Sequence, residues 1–177
     1  LFVALSGFRL LQIEPFLPKS TAVNKIDGVV DLVGTMSFEK KDSHPLVSLK
    51  TDLNVSDFSV NTDGQDVVFE KLTVKHAAFN QKDLNGSVAS LDVDTLAAYP
   101  SSGILKKVGF ANLDVSKVSF DLGRQLADIN SVELNGLNVA AHKTKSGGNA
   151  QSGTKKRDEA KESKPWGISV SKLSVSG

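Results

Sequence analysis

The feature that most constrains this chain is an eight-residue pattern: apolar, polar, apolar, two polar, apolar, polar, apolar. It reads LNVSDFSV at 53–60, LDVSKVSF at 113–120, VELNGLNV at 132–139 and ISVSKLSV at 168–175. A fifth match at 127–134 overlaps the third, and looser copies stand at 11–18, 72–79 and 86–93. At 40% hydrophobic content, random order would give roughly one such window in a chain of this length. The excess marks an internal structural repeat.

Alternation of apolar and polar residues over short stretches is the signature of strands with one buried face, and no stretch keeps helical spacing for three turns. The two adjacent polar residues are a phase slip. In an uninterrupted strand Leu53 and Val55 would face one way and Phe58 and Val60 the other, because side chains alternate with period two. A bulge at Ser56-Asp57, and equally at Ser116-Lys117 and Ser171-Lys172, absorbs the extra residue and returns all four apolar positions to one face. The competing reading is a tight hairpin at the pair. Asn135-Gly136 suits a two-residue turn, whereas Ser-Lys and Ser-Asp do not. The expected fold is therefore mainly β: a twisted antiparallel sheet of repeated bulged strands forming an open groove, with at most short helical turns. Asp63-Gly64 and Asn85-Gly86 are further turn candidates. The best helical segment is 94–108, where Asp94 caps a turn that Pro100 ends and a second turn covers 102–107.

Between 143 and 164 the only apolar residues are two Ala, and Gly, Ser and Lys dominate. Such a stretch cannot bury enough surface to offset chain entropy. The expected organisation is a β-rich segment over 1–142, a flexible polar linker over 143–164, and the start of the next β repeat over 165–177. The linker carries seven Lys and Arg against three acidic residues. A solvated connection is the simpler reading of that charge, and a basic contact with anionic lipid headgroups the sharper one.

Composition excludes several function classes. A formal net charge of +1 and 6% aromatic residues give neither the field nor the stacking surface expected of a nucleic-acid binder. With no Cys, thiolate metal sites and disulfide frameworks are ruled out. His44, His76 and His142 are scattered singly, with no HExxH or GxSxG pattern. NTDGQD at 61–66 has oxygen-rich spacing but lacks the downstream Glu of a calcium loop, and reads as an Asp-Gly hairpin. Gly28 and Gly34 flank VVDLV with no following helix, so no phosphate-cradling loop is expected. Asp92 and Asp94 alternate with Leu91 and Val93 as the wet side of a strand. The expectation is a non-enzyme with no cofactor and no metal.

Side by side, the copies of the pattern make an apolar wall. Its expected members are Leu53, Val55, Phe58, Val60, Leu72, Val74, Phe79, Leu113, Val115, Val118, Phe120, Val132, Leu134, Leu137 and Val139. Such a wall is covered by a second sheet or a helix, or it curves into a trough that holds hydrocarbon. Periodicity does not choose among these. A carbohydrate-binding or hydrolytic β-helix would want stacked aromatics on the polar face, and one Trp and one Tyr scarcely supply them.

The stretch FRLLQIEPFLPKSTAVNKIDGVVDLVGTMSFE at 8–39 resembles the AsmA-like proteins of Gram-negative envelopes, including the branch long filed as a domain of unknown function. There a strand runs into a P-(F/Y)-L-P turn and then a strand beginning with Gly and alternating apolar residues. Pro15, Phe16, Leu17, Pro18 and Gly28 match that arrangement. HPLVSLKTDLNVSDFSV at 44–60 and PWGISVSKLSVSG at 165–177 are similar to the group's repeating units. The resemblance implies a periplasmic protein anchored in the inner membrane through a segment outside this chain, which reads as a fragment. It implies an elongated β-groove like that of bridge-like lipid-transfer proteins, holding or conducting phospholipid or another envelope lipid between inner and outer membrane, with envelope proteins as possible partners. The family offers no catalytic residues. The alternative function is a structural or partner-binding β-module with a closed core.

Overall fold

The computed structural model describes residues 1–17, 22–41, 44–141 and 166–177. Within them the chain is mainly β: strands β1 (Phe2–Arg9), β2 (Val23–Lys41), β3 (His44–Thr62), β4 (Gln65–Asn80), β5 (Asn85–Pro100), β6 (Leu105–Asp121), β7 (Leu126–Asn135), β8 (Asn138–Ala141) and β9 (Gly167–Ser176), with one 3-10 helix at Leu10–Phe16. The strands form one sheet in the order β1-β2-β3-β4-β5-β6-β7-β9, with β8 paired to β6. Its two ends, β1 and β9, do not pair with each other, so the sheet is open and not a barrel. All pairs are antiparallel except β7 with β9. The segment expected as a linker, 143–164, lies outside the described residues.

Hairpin connections explain the meander. Asp63-Gly64 joins β3 to β4 as expected, with Thr62 Oγ1 accepting from the Gln65 N–H at 3.1 Å. Four-residue turns join β4 to β5 and β6 to β7, and each ends on a left-handed residue, Leu84 (φ 52°) and Gln125 (φ 58°). Asn85-Gly86 is not a turn tip. It opens β5, and a Cβ on Gly86 would come within 2.3 Å of the Phe120 ring, so only Gly lets that ring lie across the neighbouring strand.

The phase slips resolve into two lines of bends. On β2, Ile26 and Val30 are four residues apart and face the same way, yet their partners on β3, Val60 and Val55, are five apart. The register shifts between Asp27 and Val29, with Asp57 at φ 51° absorbing the additional residue. From β3 onward the five-residue spacing is common to every strand: Val67 and Leu72, Ala98 and Val93, Val108 and Leu113, Val139 and Leu134. The second line starts between β3 and β4, where Leu49 and Leu53 are four apart but Phe79 and Val74 five, with His76 at φ 50°. It continues at Lys117 (φ 50°) on β6 without a register shift. Ser56-Asp57 is thus a bulge and Ser116-Lys117 a bend, neither reversing the chain, and Leu53 and Phe58 share a face.

Asn135-Gly136 behaves the same way. Gly136 (φ 66°) bends the chain, and β8 resumes along β6 in the frame set by β7, so the hairpin reading fails there. Ser171-Lys172 carries neither a shift nor a positive φ. The helical reading of 94–108 is also overturned: Asp94 through Pro100 belong to β5, because Leu96, Ala97 and Ala98 pair with Phe110, Gly109 and Val108. Thr95, at φ 51°, is that strand's bend. The loose copy at 11–18 is 3-10 helix rather than strand over its first six residues, with Pro15 denying the ladder a donor.

Candidate functional site: an uncovered apolar face

Two rows of side chains cross the sheet between the bend lines. One runs Leu5, Leu32, Leu53, Val74, Leu91, Val115, Val132, Leu173, each the register partner of the next. The other runs Phe8, Val30, Val55, Leu72, Val93, Leu113, Leu134, Val175. Every position in both is apolar. Cross-strand pairs of this kind each add a few tenths of a kcal/mol to about 1 kcal/mol, so the rows hold the sheet together as well as forming its surface.

Beyond the first bend line lie Ile26, Val60, Val67, Ala98, Val108 and Val139 in one row. Beside it Phe58 stacks on Phe69, ring centroids 4.5 Å apart. Beyond the second, Leu49, Phe79, Gly86, Phe120, Ala127 and Ile168 align, with Phe79 and Phe120 facing each other at 6.4 Å across Gly86. Aliphatic residues thus fill the central strip except for Phe8 at its β1 edge, and aromatic residues flank it.

Little lies over this face. Among the described residues, the one element besides the strands that packs on the sheet is the 3-10 helix, against β2. Among the described residues only Val55, Val93 and Ala97 are buried apolar side chains; Val55 and Val93 stand mid-row between apolar register partners, while Ala97, paired with Val68 and Gly109, is on the other face. At the edges shielding by row neighbours weakens: Leu5 is 39% exposed and Leu173 69%. Neighbouring strands lie about 4.8 Å apart and residues rise about 3.3 Å, so the central strip, two rows that each take up two residues of a strand, measures roughly 34 Å across the strands by 13 Å along them. Its area, about 450 Å², matches the largest apolar patch of a typical monomeric soluble protein, and the flanking rows extend it further.

The sequence-expected residues fall into four places. Leu53, Val55, Leu72, Val74, Leu113, Val115, Val132 and Leu134 stand in the central rows. Phe58, Val60 and Val139 lie beyond the first line, and Phe79, Val118 and Phe120 beyond the second. Leu137 sits in the gap between β7 and β8, 48% exposed. Missed were Leu5, Phe8, Val30, Leu32, Leu91, Val93, Leu173 and Val175. The windows VALSGFRL at 3–10 and LDVDTLAA at 91–98 held the signal for half of them, with one position broken by Ala.

The opposite face is polar. Its middle row runs Asp31, Asn54, Thr73, Asp92, Asp114, Glu133, Ser174. Burial, then the hydrogen bond with Asp92 and the charges of Asp92, Glu133 and Asp94, hold the Asp114 carboxyl above the usual carboxylate range. Asn112 Nδ2 donates to Asp94 Oδ1 at 2.9 Å and the hydroxyls of Ser116 and Ser131 bond at 2.7 Å. Asp31 accepts the bulge N–H of Gly7 at 2.8 Å, and Asp52 accepts that of His76. The acidic side chains thus satisfy donors that the bends release. Among the described residues no three His, Cys, Asp or Glu converge as a metal site, and no helix is long and apolar enough to cross a membrane. Comparison with protein-family models, curated proteins and solved structures gave no match.

Proposed function

We propose that this chain is a non-catalytic segment of an envelope protein that holds or conducts lipid along its apolar sheet face, as its resemblance to the AsmA-like proteins implies. The observation that carries this reading is the pair of unbroken apolar rows on a face that no second layer covers among the described residues. Acyl chains laid on the strip leave water at about 0.8 kcal/mol per buried methylene, while headgroups stay hydrated at the rim. A strip roughly 34 Å long exceeds the length of one acyl chain, which is about half of a 30 Å bilayer core. The reading places the chain in the periplasm, with its anchor in the inner membrane and envelope lipid as its partner. The closed-core module needs a covering layer that the described residues do not supply.

The test is extraction of the purified, folded protein with organic solvent, followed by mass spectrometry. Stoichiometric phospholipid or another envelope lipid, absent from a control protein purified in parallel, is the expected result. A folded protein free of lipid that also fails to take up lipid from vesicles overturns the proposal.

A further inference from the structure

β9 is held unlike any other strand. It runs parallel to β7, whereas every other pair in the sheet is antiparallel, and parallel pairing is slightly weaker per residue. All ten of its residues are exposed. Yet its seat is specific. The register runs from Leu126 with Gly167 to Asn135 with Ser176 without a shift, setting Ile168, Val170, Leu173 and Val175 beside Ala127, Ile129, Val132 and Leu134. On the polar face Ser169 Oγ donates to Asp128 Oδ1 and Ser176 Oγ to Asn135 Oδ1, both at 2.6 Å, and Lys172 pairs with Glu133. Backbone bonds close both ends: the Gly167 N–H donates to the Gln125 carbonyl and the Gly136 N–H to the Ser176 carbonyl, each at 2.9 Å.

Among the described residues, a strand with this seat, an outer edge that no other strand pairs and a long tether has no contact that tells its own seat from that of another molecule. The connection from Ala141 to Gly167 contains 143–164, whose sequence offers two Ala as its only apolar residues to fix its path. A parallel crossover needs only a dozen or so residues, so this one has slack to spare.

We propose that β9 is an exchangeable strand, and that the outer edge of β7 accepts β9 from a second copy of this chain in the same parallel register. The bonds made in cis and in trans are the same, so the balance is set by concentration alone. A tether of this length and composition sets an effective concentration in the millimolar range, which makes the intramolecular form dominant in dilute solution and brings exchange up as the protein approaches that range. The inference does not depend on whether the apolar face carries lipid.

The absence of Cys permits a direct test. Asp128 and Ser169 are register partners, and neighbouring strands bring their Cα atoms within disulfide range. The double variant Asp128→Cys with Ser169→Cys is expected to close an intramolecular bridge on brief oxidation. An equimolar mixture of the two single variants, equilibrated at about 1 mM before oxidation, is expected to give a disulfide heterodimer at least tenfold more abundant than at about 10 µM. A mixture of Asp128→Cys with the out-of-register Ser174→Cys is expected to stay at background. The in-register pair Glu133→Cys and Ser174→Cys repeats the test where an Asp128 variant loses its β signal in circular dichroism. A double variant that bridges while the mixture stays at background at 1 mM overturns exchange. Failure of both double variants to bridge overturns the seat itself.

Discussion

Replacing Val115 with Asp places a charge at the centre of the apolar face, between Leu91 on β5 and Val132 on β7. Val115 is half-buried, flanked by those neighbours, and no second layer packs on its face among the described residues. Full burial of a Val side chain is worth about 1.5–3 kcal/mol, so partial burial puts the loss of apolar contact at about 1–2 kcal/mol. The carboxylate can extend away from the sheet and keep most of its water, so Val115→Asp is expected to leave a cooperatively folding sheet. In a domain of this size 1 kcal/mol moves Tm by about 2–4 °C, which sets the expected fall at about 2–8 °C. Under a covering layer the same carboxylate would be an uncompensated buried charge, costing at least about 3–5 kcal/mol. The assays are thermal and urea unfolding by circular dichroism, with bound lipid measured on the same samples. A folded variant with its lipid lost is the expected outcome. Loss of the β signal and the cooperative transition would refute the open-face reasoning.

Asp114→Asn removes a carboxyl whose proton the folded state binds more tightly than the unfolded chain does. Ionised Asp114 therefore costs stability as pH rises above its unfolded value of about 3.9, so the variant should be more stable than wild type at pH 7 and lose that advantage below about pH 4, read from urea midpoints at each pH. Thr95→Gly relieves a β-branched residue at φ 51° and should raise stability by about 1 kcal/mol in the same assay; a fall would mean that the Thr side chain contributes more than its strain costs. Gly109→Ala should cost at least about 2 kcal/mol, because the added Cβ would stand 2.3 Å from the Leu96 carbonyl oxygen on a paired strand; a neutral result would mean that β5 and β6 separate more easily than their register implies.

The strands, their single apolar face and the bends at Asp57 and Lys117 were legible because a phase slip between polar residues has few physical solutions. The bend at Thr95 was not, since Ala97 and Ala98 end its window and are too small to signal a face, while Pro100 reads equally as a helix stop and as the last residue of a strand. β1 escaped for a like reason, Ala4 standing where the pattern wants a polar residue. Asn135-Gly136 favours a hairpin turn locally, and only the continued pairing of β8 with β6 keeps the chain straight on. The parallel seat of β9 depends on a partner about forty residues away, a choice that local propensity does not encode.

The left-handed bends fall on alternate strands: Asp57, Thr95 and Gly136 on one line, His76 and Lys117 on the other. Each strand from β3 to β7 places its bend two residues after its last central apolar residue, Val55, Val93 and Leu134 on the upward strands, Val74 and Val115 on the downward ones. Antiparallel neighbours therefore send successive bends to opposite lines. Duplicating one hairpin in a gene would add one bend to each line and lengthen both apolar rows by two residues, with no repair needed elsewhere. Duplicating a single strand would add a bend to one line only and reverse the direction of every strand after it, whereas a crossover that kept direction would put two adjacent bends on one line. A sheet built on this rule can grow through evolution two strands at a time, its length changing while its cross-section stays constant.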